Sequence, residues 1–141
     1  MSAVEVTKKV IGCLEKDYDF ILVNYANTDM VGHTGSWDAT VKACITIDVC
    51  LGKLLEKADE NFYKVILLAD HGNADIMFDE EGNVVTTHTL SKVPFIIKDK
   101  KVNLEDGGSL INVAPTILSY MDIASPKEMQ ETPSLISSIK E

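Results

Sequence analysis

The chain has 141 residues, 45% of them hydrophobic and 25% charged, which suffices for one folded core and excludes a disordered chain. Its formal net charge of -9 argues against nucleic acid or an anionic membrane as a partner, because both call for clustered positive charge. All 13 cationic residues are lysines, so these residues hold no guanidinium, the usual bidentate clamp for phosphate and carboxylate.

Residues 1–16 mix charges with apolar side chains and contain no long apolar run. They read as neither a signal peptide nor a membrane span, which points to a cytoplasmic chain. Val6, Val10 and Leu14 recur at helical spacing and predict an amphipathic helix over 4–15. Phe20-Ile21-Leu22-Val23-Asn24 then predicts a strand over 19–24. Ser36 suits the N-cap of a helix through Lys57, along which Trp37, Val41, Cys44, Leu51 and Leu55 form the apolar stripe and Asp48 interrupts it, as a rim residue or a salt-bridge partner rather than a metal ligand. Trp37 is expected to pack against a neighbouring element. Cys13, Cys44 and Cys50 are an odd number, and the last two lie roughly 9 Å apart along a helix, beyond disulfide reach, so reduced thiols are expected.

The apolar run Val65-Ile66-Leu67-Leu68-Ala69 ends abruptly in Asp70-His71-Gly72-Asn73-Ala74-Asp75. Such a run suits a strand covered on both faces, as in a parallel α/β sheet, whose strand ends are where these folds place their sites; a buried helix segment is the other reading of so short a run. Asp70 and His71 would point to opposite faces of an extended strand, so the chain must bend to bring both to one site, and Gly72 permits that bend. Asp79-Glu80-Glu81-Gly82-Asn83 reads as a hairpin tip between arms 76–78 and 84–86. Thr86-Thr87-His88-Thr89 precedes another strand, Val93-Pro94-Phe95-Ile96-Ile97. A surface loop over 98–108 leads to a helix starting at Ser109 or Asn112 and running through Tyr120, with Pro115 in its first turn. From Ser125 onward an irregular tail is expected. No repeat and no internal domain boundary is apparent, so a single globular unit is expected.

All three histidines lie beside predicted strand ends, and two have an aspartate within one turn: Asp29 with His33, and Asp70 with His71. Carboxylate and imidazole together suit a divalent first-row metal, and no cysteine adjoins them to make a thiolate zinc site. Capped turns with satisfied histidines are the competing reading of the same residues. Asn24, Asn73 and Asp75 read as hydrogen-bonding or turn residues rather than ligands, and Thr34, Thr87 and Thr89 as residues that orient ligands.

Three stretches, Asn24-Tyr25-Ala26-Asn27-Thr28-Asp29-Met30-Val31-Gly32-His33-Thr34-Gly35, Ala69-Asp70-His71-Gly72-Asn73-Ala74-Asp75 and Thr87-His88-Thr89-Leu90-Ser91-Lys92-Val93-Pro94-Phe95, closely resemble the C-terminal metal-binding motifs of the cofactor-independent phosphoglycerate mutases, a family of the alkaline phosphatase superfamily. The resemblance runs nearly end to end, from Met1-Ser2-Ala3-Val4-Glu5-Val6-Thr7 to Asn112-Val113-Ala114-Pro115-Thr116-Ile117-Leu118 and Pro126-Lys127-Glu128-Met129. Thr28 stands where the family often has Pro, and Gln130-Glu131 where it usually has a Gly.

The resemblance implies an α/β, mostly parallel sheet flanked by helices, alkaline phosphatase-like, with residues 1–141 forming the C-terminal part of the metal-binding domain and the inserted substrate domain and N-terminal part absent. It implies two divalent ions, Mn²⁺ first and Mg²⁺, Co²⁺ or Zn²⁺ as others, with no 2,3-bisphosphoglycerate requirement. Asp29, His33 and His88 resemble the ligands of one ion, and Asp70 and His71 part of the shell of the other. The implied activity is interconversion of 3-phosphoglycerate and 2-phosphoglycerate in glycolysis. The family's Ser nucleophile and Arg-rich clamp have no match here, so the chain alone is expected to be inactive unless an N-terminal part complements it. Another metal-dependent phosphohydrolase of the superfamily, or a non-catalytic metal-binding or interaction fragment, are the alternatives.

Overall fold

The computed structural model describes residues 2–140, so Met1 and Glu141 lie outside the described residues. The chain forms two compact units, one up to Ile96 and one from Ile97, where a single unit was expected. The second unit closes hydrogen bonds of its own, between its two strands and from its tail to its helix.

In the first unit, helix α1 (Ala3–Leu14) matches the predicted helix within a residue. A short helix α2 (Asn27–Gly32) follows, then the long helix α3 (Trp37–Glu60). Both α1 and α2 pack on α3. Ser36 holds the N-cap position in extended backbone, but its side chain makes no capping hydrogen bond; its carbonyl instead accepts the Thr40 amide at 3.0 Å.

The buried stripe of α3 is Thr40, Ala43, Cys50, Leu54 and Ala58, one face round from the expected stripe. Trp37 and Val41 are instead exposed, at 55% and 38%, and Cys44 is exposed as well. The physical reason is size: small side chains on α3, like Ala3 and Thr7 on α1, let the helix axes approach closely, and the larger apolar groups are left outside. Trp37 still finds a partner, its ring centroid 6.1 Å from that of Phe78. All three cysteines are free, as expected.

Thr7 ties α1 to the segment before α2. Its hydroxyl donates to the Ala3 carbonyl at 2.8 Å, so the Tyr25 hydroxyl donates to Thr7 at 2.7 Å. Residues 19–24, expected as a strand, carry no strand pairing among the described residues. Their exposure nevertheless alternates, with Phe20 and Leu22 outward at 53% and 82% and Ile21 and Val23 half-buried, the pattern of extended chain.

Strand β1 (Ile66–Leu68) occupies the central apolar run and pairs with β2 (Phe95–Ile97) in a two-stranded sheet. Between them, the predicted hairpin forms around a Phe78–Val84 antiparallel bridge, with the Asp79 amide donating to the Asn83 carbonyl at 3.0 Å. The Asp79 carboxylate also accepts the Glu81 and Asn83 amides at 3.0 and 2.8 Å. The Asn83 side chain, then its backbone amide, hold the Asp79 carboxyl below the ordinary carboxylate range.

The second unit contains β3 (Val102–Leu104), helix α4 (Val113–Tyr120), entered through a 3-10 turn at Leu110–Asn112, and β4 (Ile136–Ile139). The tail is therefore partly ordered: β4 runs antiparallel to β3, with Val102 opposite Ile139. Fully buried Thr116 donates to the Asn112 carbonyl at 2.6 Å and accepts the Leu135 amide at 2.9 Å, which pins the tail to α4. The α/β class is as expected, expressed in two two-stranded sheets of which β3–β4 is antiparallel. No helix among the described residues is long and apolar enough to cross a membrane.

Candidate metal centre

One short helix and two loops bring the site residues together. Asp29 and His33 sit one turn apart on α2 and its C-cap, which puts both side chains on one face. His71 lies in the loop just after β1, and His88 in the loop that leads towards β2. An antiparallel bridge between Gly72 and Thr89 clamps the last two loops together, with the Thr89 amide donating to the Gly72 carbonyl at 2.9 Å. The imidazoles of His71 and His88 consequently stack, centroids 3.7 Å apart and planes 19° from parallel.

Oδ1 of Asp29 is the focus of the cluster. His88 Nε2 lies 3.2 Å from it, His33 Nε2 3.3 Å and His71 Nε2 4.0 Å. One donor atom each from Asp29, His33 and His88 falls within 4.8 Å of the others. Asp70 stands at the edge, its side chain 69% exposed and its Oδ1 3.6 Å from His71 Nε2. All five residues singled out in the sequence are thus brought together, three tightly and Asp70 and His71 as a looser neighbouring pair.

The state of His33 follows from its partner. Its Nδ1 is 2.6 Å from the Thr86 carbonyl oxygen, which can only accept, so Nδ1 carries the proton. Whenever the ring is neutral, Nε2 is its unprotonated nitrogen, and it faces Asp29 Oδ1, another acceptor. Two lone pairs 3.3 Å apart repel unless a proton or a metal ion stands between them. Donor atoms bonded at about 2.0–2.1 Å to one ion are separated by about 3 Å across an octahedral edge and about 3.4 Å across a tetrahedral one, so the donor set fits a divalent ion. His71 repeats the arrangement more loosely, its Nδ1 donating to the Gly72 carbonyl at 3.3 Å.

The Asn73 amide stands behind Asp29. It is buried and donates to Asp29 Oδ1 at 2.8 Å, with a longer contact of 3.4 Å to His33 Nε2. Burial pushes the Asp29 carboxyl up, but this hydrogen bond and the facing His33, His71 and His88 outweigh it, so the net shift is downward and favours the carboxylate. Asp75 is held below the ordinary carboxylate range by the Ser91 hydroxyl first and, against partial burial, by Thr89. The Thr86 carbonyl had no signal in the sequence, because it is backbone and not side-chain chemistry. The sequence reads Asn73 as a hydrogen-bonding or turn residue and Thr89 as one that orients ligands; Asn73 meets Asp29, whereas the Thr89 hydroxyl meets Asp75.

Fold and site together define an α/β metalloenzyme domain of alkaline phosphatase-like type. A model of the Metalloenzyme superfamily matches residues 1–125, and the chain belongs to that superfamily. Within it, the chain is similar to 2,3-bisphosphoglycerate-independent phosphoglycerate mutases: 46% identical to that of Gloeobacter violaceus, covering 92% of this chain and 26% of the relative. It is 48% identical to the Clostridioides difficile mutase and 50% to that of Cellvibrio japonicus, each covering 92% of this chain and 26% of the relative. The solved structure of Leishmania mexicana phosphoglycerate mutase at low cobalt concentration superposes with a TM-score of 0.85 at 33% identity, over 96% of this chain and 28% of that one. The chain therefore spans about a quarter of the length of the curated relatives it matches.

Proposed function

We propose that the chain is the C-terminal, metal-holding part of the phosphatase-like domain of a cofactor-independent phosphoglycerate mutase, and that it acts in the cytoplasm on the glycolytic interconversion of 3-phosphoglycerate and 2-phosphoglycerate. In this reading Asp29, His33 and His88 hold one divalent ion, and Asp70 and His71 supply part of the shell of a second. Mn²⁺ is the favoured metal; the Leishmania mexicana relative, whose structure was determined at low cobalt concentration, supports a site for a divalent ion. The observation that carries the reading is the convergence of Asp29 Oδ1 with His88 and His33 Nε2 at 3.2 and 3.3 Å, with the His33 proton held on the opposite ring nitrogen by Thr86.

Paired divalent ions, when bound, offset the charge that spreads over a transferring phosphoryl group. The residues of this chain orient and hold: Asp29 presents a carboxylate, His33 and His88 present imidazole nitrogens, and Asp70 and His71 flank them. The Ser nucleophile, the remaining carboxylate ligand and the Arg-rich substrate clamp belong, in this reading, to a separate N-terminal part and an inserted domain. Neither nucleic acid nor membrane enters the scheme.

Calorimetric titration with Mn²⁺ tests it. The expected result is about one tightly bound ion per chain and a weaker second, because Asp70 and His71 alone leave the second ion under-coordinated. Asp29→Ala combined with His88→Ala should abolish the tight site. Two equally tight sites, or binding indifferent to the double substitution, would overturn the assignment.

A further inference from the structure

Gly32 is the last residue of α2 and immediately precedes His33. It is buried and does not have positive φ, so its backbone does not require glycine; alanine would be the better helix former there. What requires glycine is space. A Cβ at position 32 would collide with the Asn73 side chain, overlapping its Oδ1 and lying 3.0 Å from its Cγ.

The other end of the same carboxamide donates to Asp29 Oδ1 at 2.8 Å. A carboxylate oxygen offers two lone pairs. With one taken by Asn73, the other is left facing the imidazole nitrogens of His33 and His88. An Asp29 without this partner is free to rotate its carboxylate away from them, because its side chain is still 30% exposed.

We propose that Asn73 is a positioning residue for the metal centre: its carboxamide, seated in the space left by Gly32, holds Asp29 Oδ1 in place as a ligand atom. This rests on the metal-binding reading above. Gly32 acts through Asn73, since the colliding atom is the far end of a side chain that turns aside with little disturbance of the backbone. Gly32→Ala should therefore move the carboxamide off Asp29 without unfolding the helix.

The test is a double-substitution cycle on the full chain, read by Mn²⁺ calorimetry and by thermal unfolding of the metal-free protein. Asn73→Ala should weaken the tight site by about 10-fold to 100-fold. Gly32→Ala should weaken it comparably while the metal-free protein still unfolds in one cooperative transition. The double variant should be no weaker than Asn73→Ala alone. Losses that multiply in the double variant, or an Asn73→Ala chain that binds Mn²⁺ like the wild type, would overturn the positioning role and leave the metal site standing. A wild-type chain that binds no Mn²⁺ would overturn both.

Discussion

The Thr89 hydroxyl lies 3.0 Å from Oδ2 and 3.1 Å from Oδ1 of Asp75, so one donor bridges both oxygens of a carboxylate and joins the loop after β1 to the loop before β2. His71 and His88 lie on these two loops, and their stacking depends on the join. Thr89→Val keeps the shape and removes the donor. It should cost about 1 kcal/mol of stability and weaken Mn²⁺ binding, as measured by chemical denaturation and calorimetry. Unchanged values for both would show that the Gly72–Thr89 backbone bridge suffices by itself.

Asp75 also sets an expected pH dependence. Its folded carboxyl lies below the ordinary value of 3.8, held there by Ser91 and Thr89, so its contribution to stability is fully present above that value and is lost as pH falls through the lower folded value. Asp79 at the hairpin tip has the same sign, with Asn83 as the principal cause. Stability measured by denaturation between about pH 5 and pH 2 should fall more steeply for the wild type than for Asp75→Asn. Parallel curves would remove Asp75 from the account of acid sensitivity.

His33 is expected to be the Nδ1–H tautomer in the metal-free protein whenever the ring is neutral, because the Thr86 carbonyl at 2.6 Å can only accept. Imidazole ¹⁵N chemical shifts report the tautomer directly. Adding Mg²⁺ or Zn²⁺, which avoid paramagnetic broadening, should then perturb Nε2 of His33 and His88 rather than Nδ1. An Nε2–H tautomer for neutral His33 would remove the lone pair on which the metal geometry rests.

Helices α1 and α3 were legible in the sequence because apolar spacing and a Ser N-cap position are local signals, and the hairpin was legible because Asp79, Gly82 and Asn83 have their own turn chemistry. The face of α3 was not. A periodicity that weights large apolar residues selects Trp37 and Val41, whereas Thr40, Ala43 and Ala58 are buried because they are small. Strand β4 was missed because its partner β3 is distant in the chain and the Ser residues of Ile136–Ile139 carry no strand signature. The five candidate site residues could be named from residue type, spacing and family resemblance. Their relative closeness could not, since it depends on a Gly72–Thr89 bridge and on a backbone carbonyl at Thr86.

Catalysis should require more than this chain. Phosphoryl transfer between two carbons of glycerate needs a nucleophile and a substrate clamp as well as metal ligands. Assayed alone, the chain should show no conversion of 3-phosphoglycerate. Mixed with an N-terminal part that carries the Ser, the missing carboxylate ligand and the Arg-rich inserted domain, it should become active, and His71→Ala should abolish that activity with little change in folding. Appreciable turnover by the chain alone would refute the division of labour.

The apolar segment before α2 should make the isolated chain self-associate. Phe20 and Leu22 face outward at 53% and 82% exposure, and residues 20–24 carry no ladder pairing among the described residues. Unpaired extended backbone with apolar side chains is a template for pairing with another chain, and a lysine on such an edge disfavours it by requiring burial of a charge. The segment is also anchored at its end, since Tyr25 donates to Thr7 of α1, so a substitution at Leu22 should alter association without releasing the segment. Sedimentation velocity across a concentration series should show oligomers growing with concentration for the wild type. Leu22→Lys should shift the distribution towards monomer, with an unchanged unfolding transition at low concentration. A wild-type chain that stays monomeric at every concentration would show that residues 20–24 are not a pairing edge.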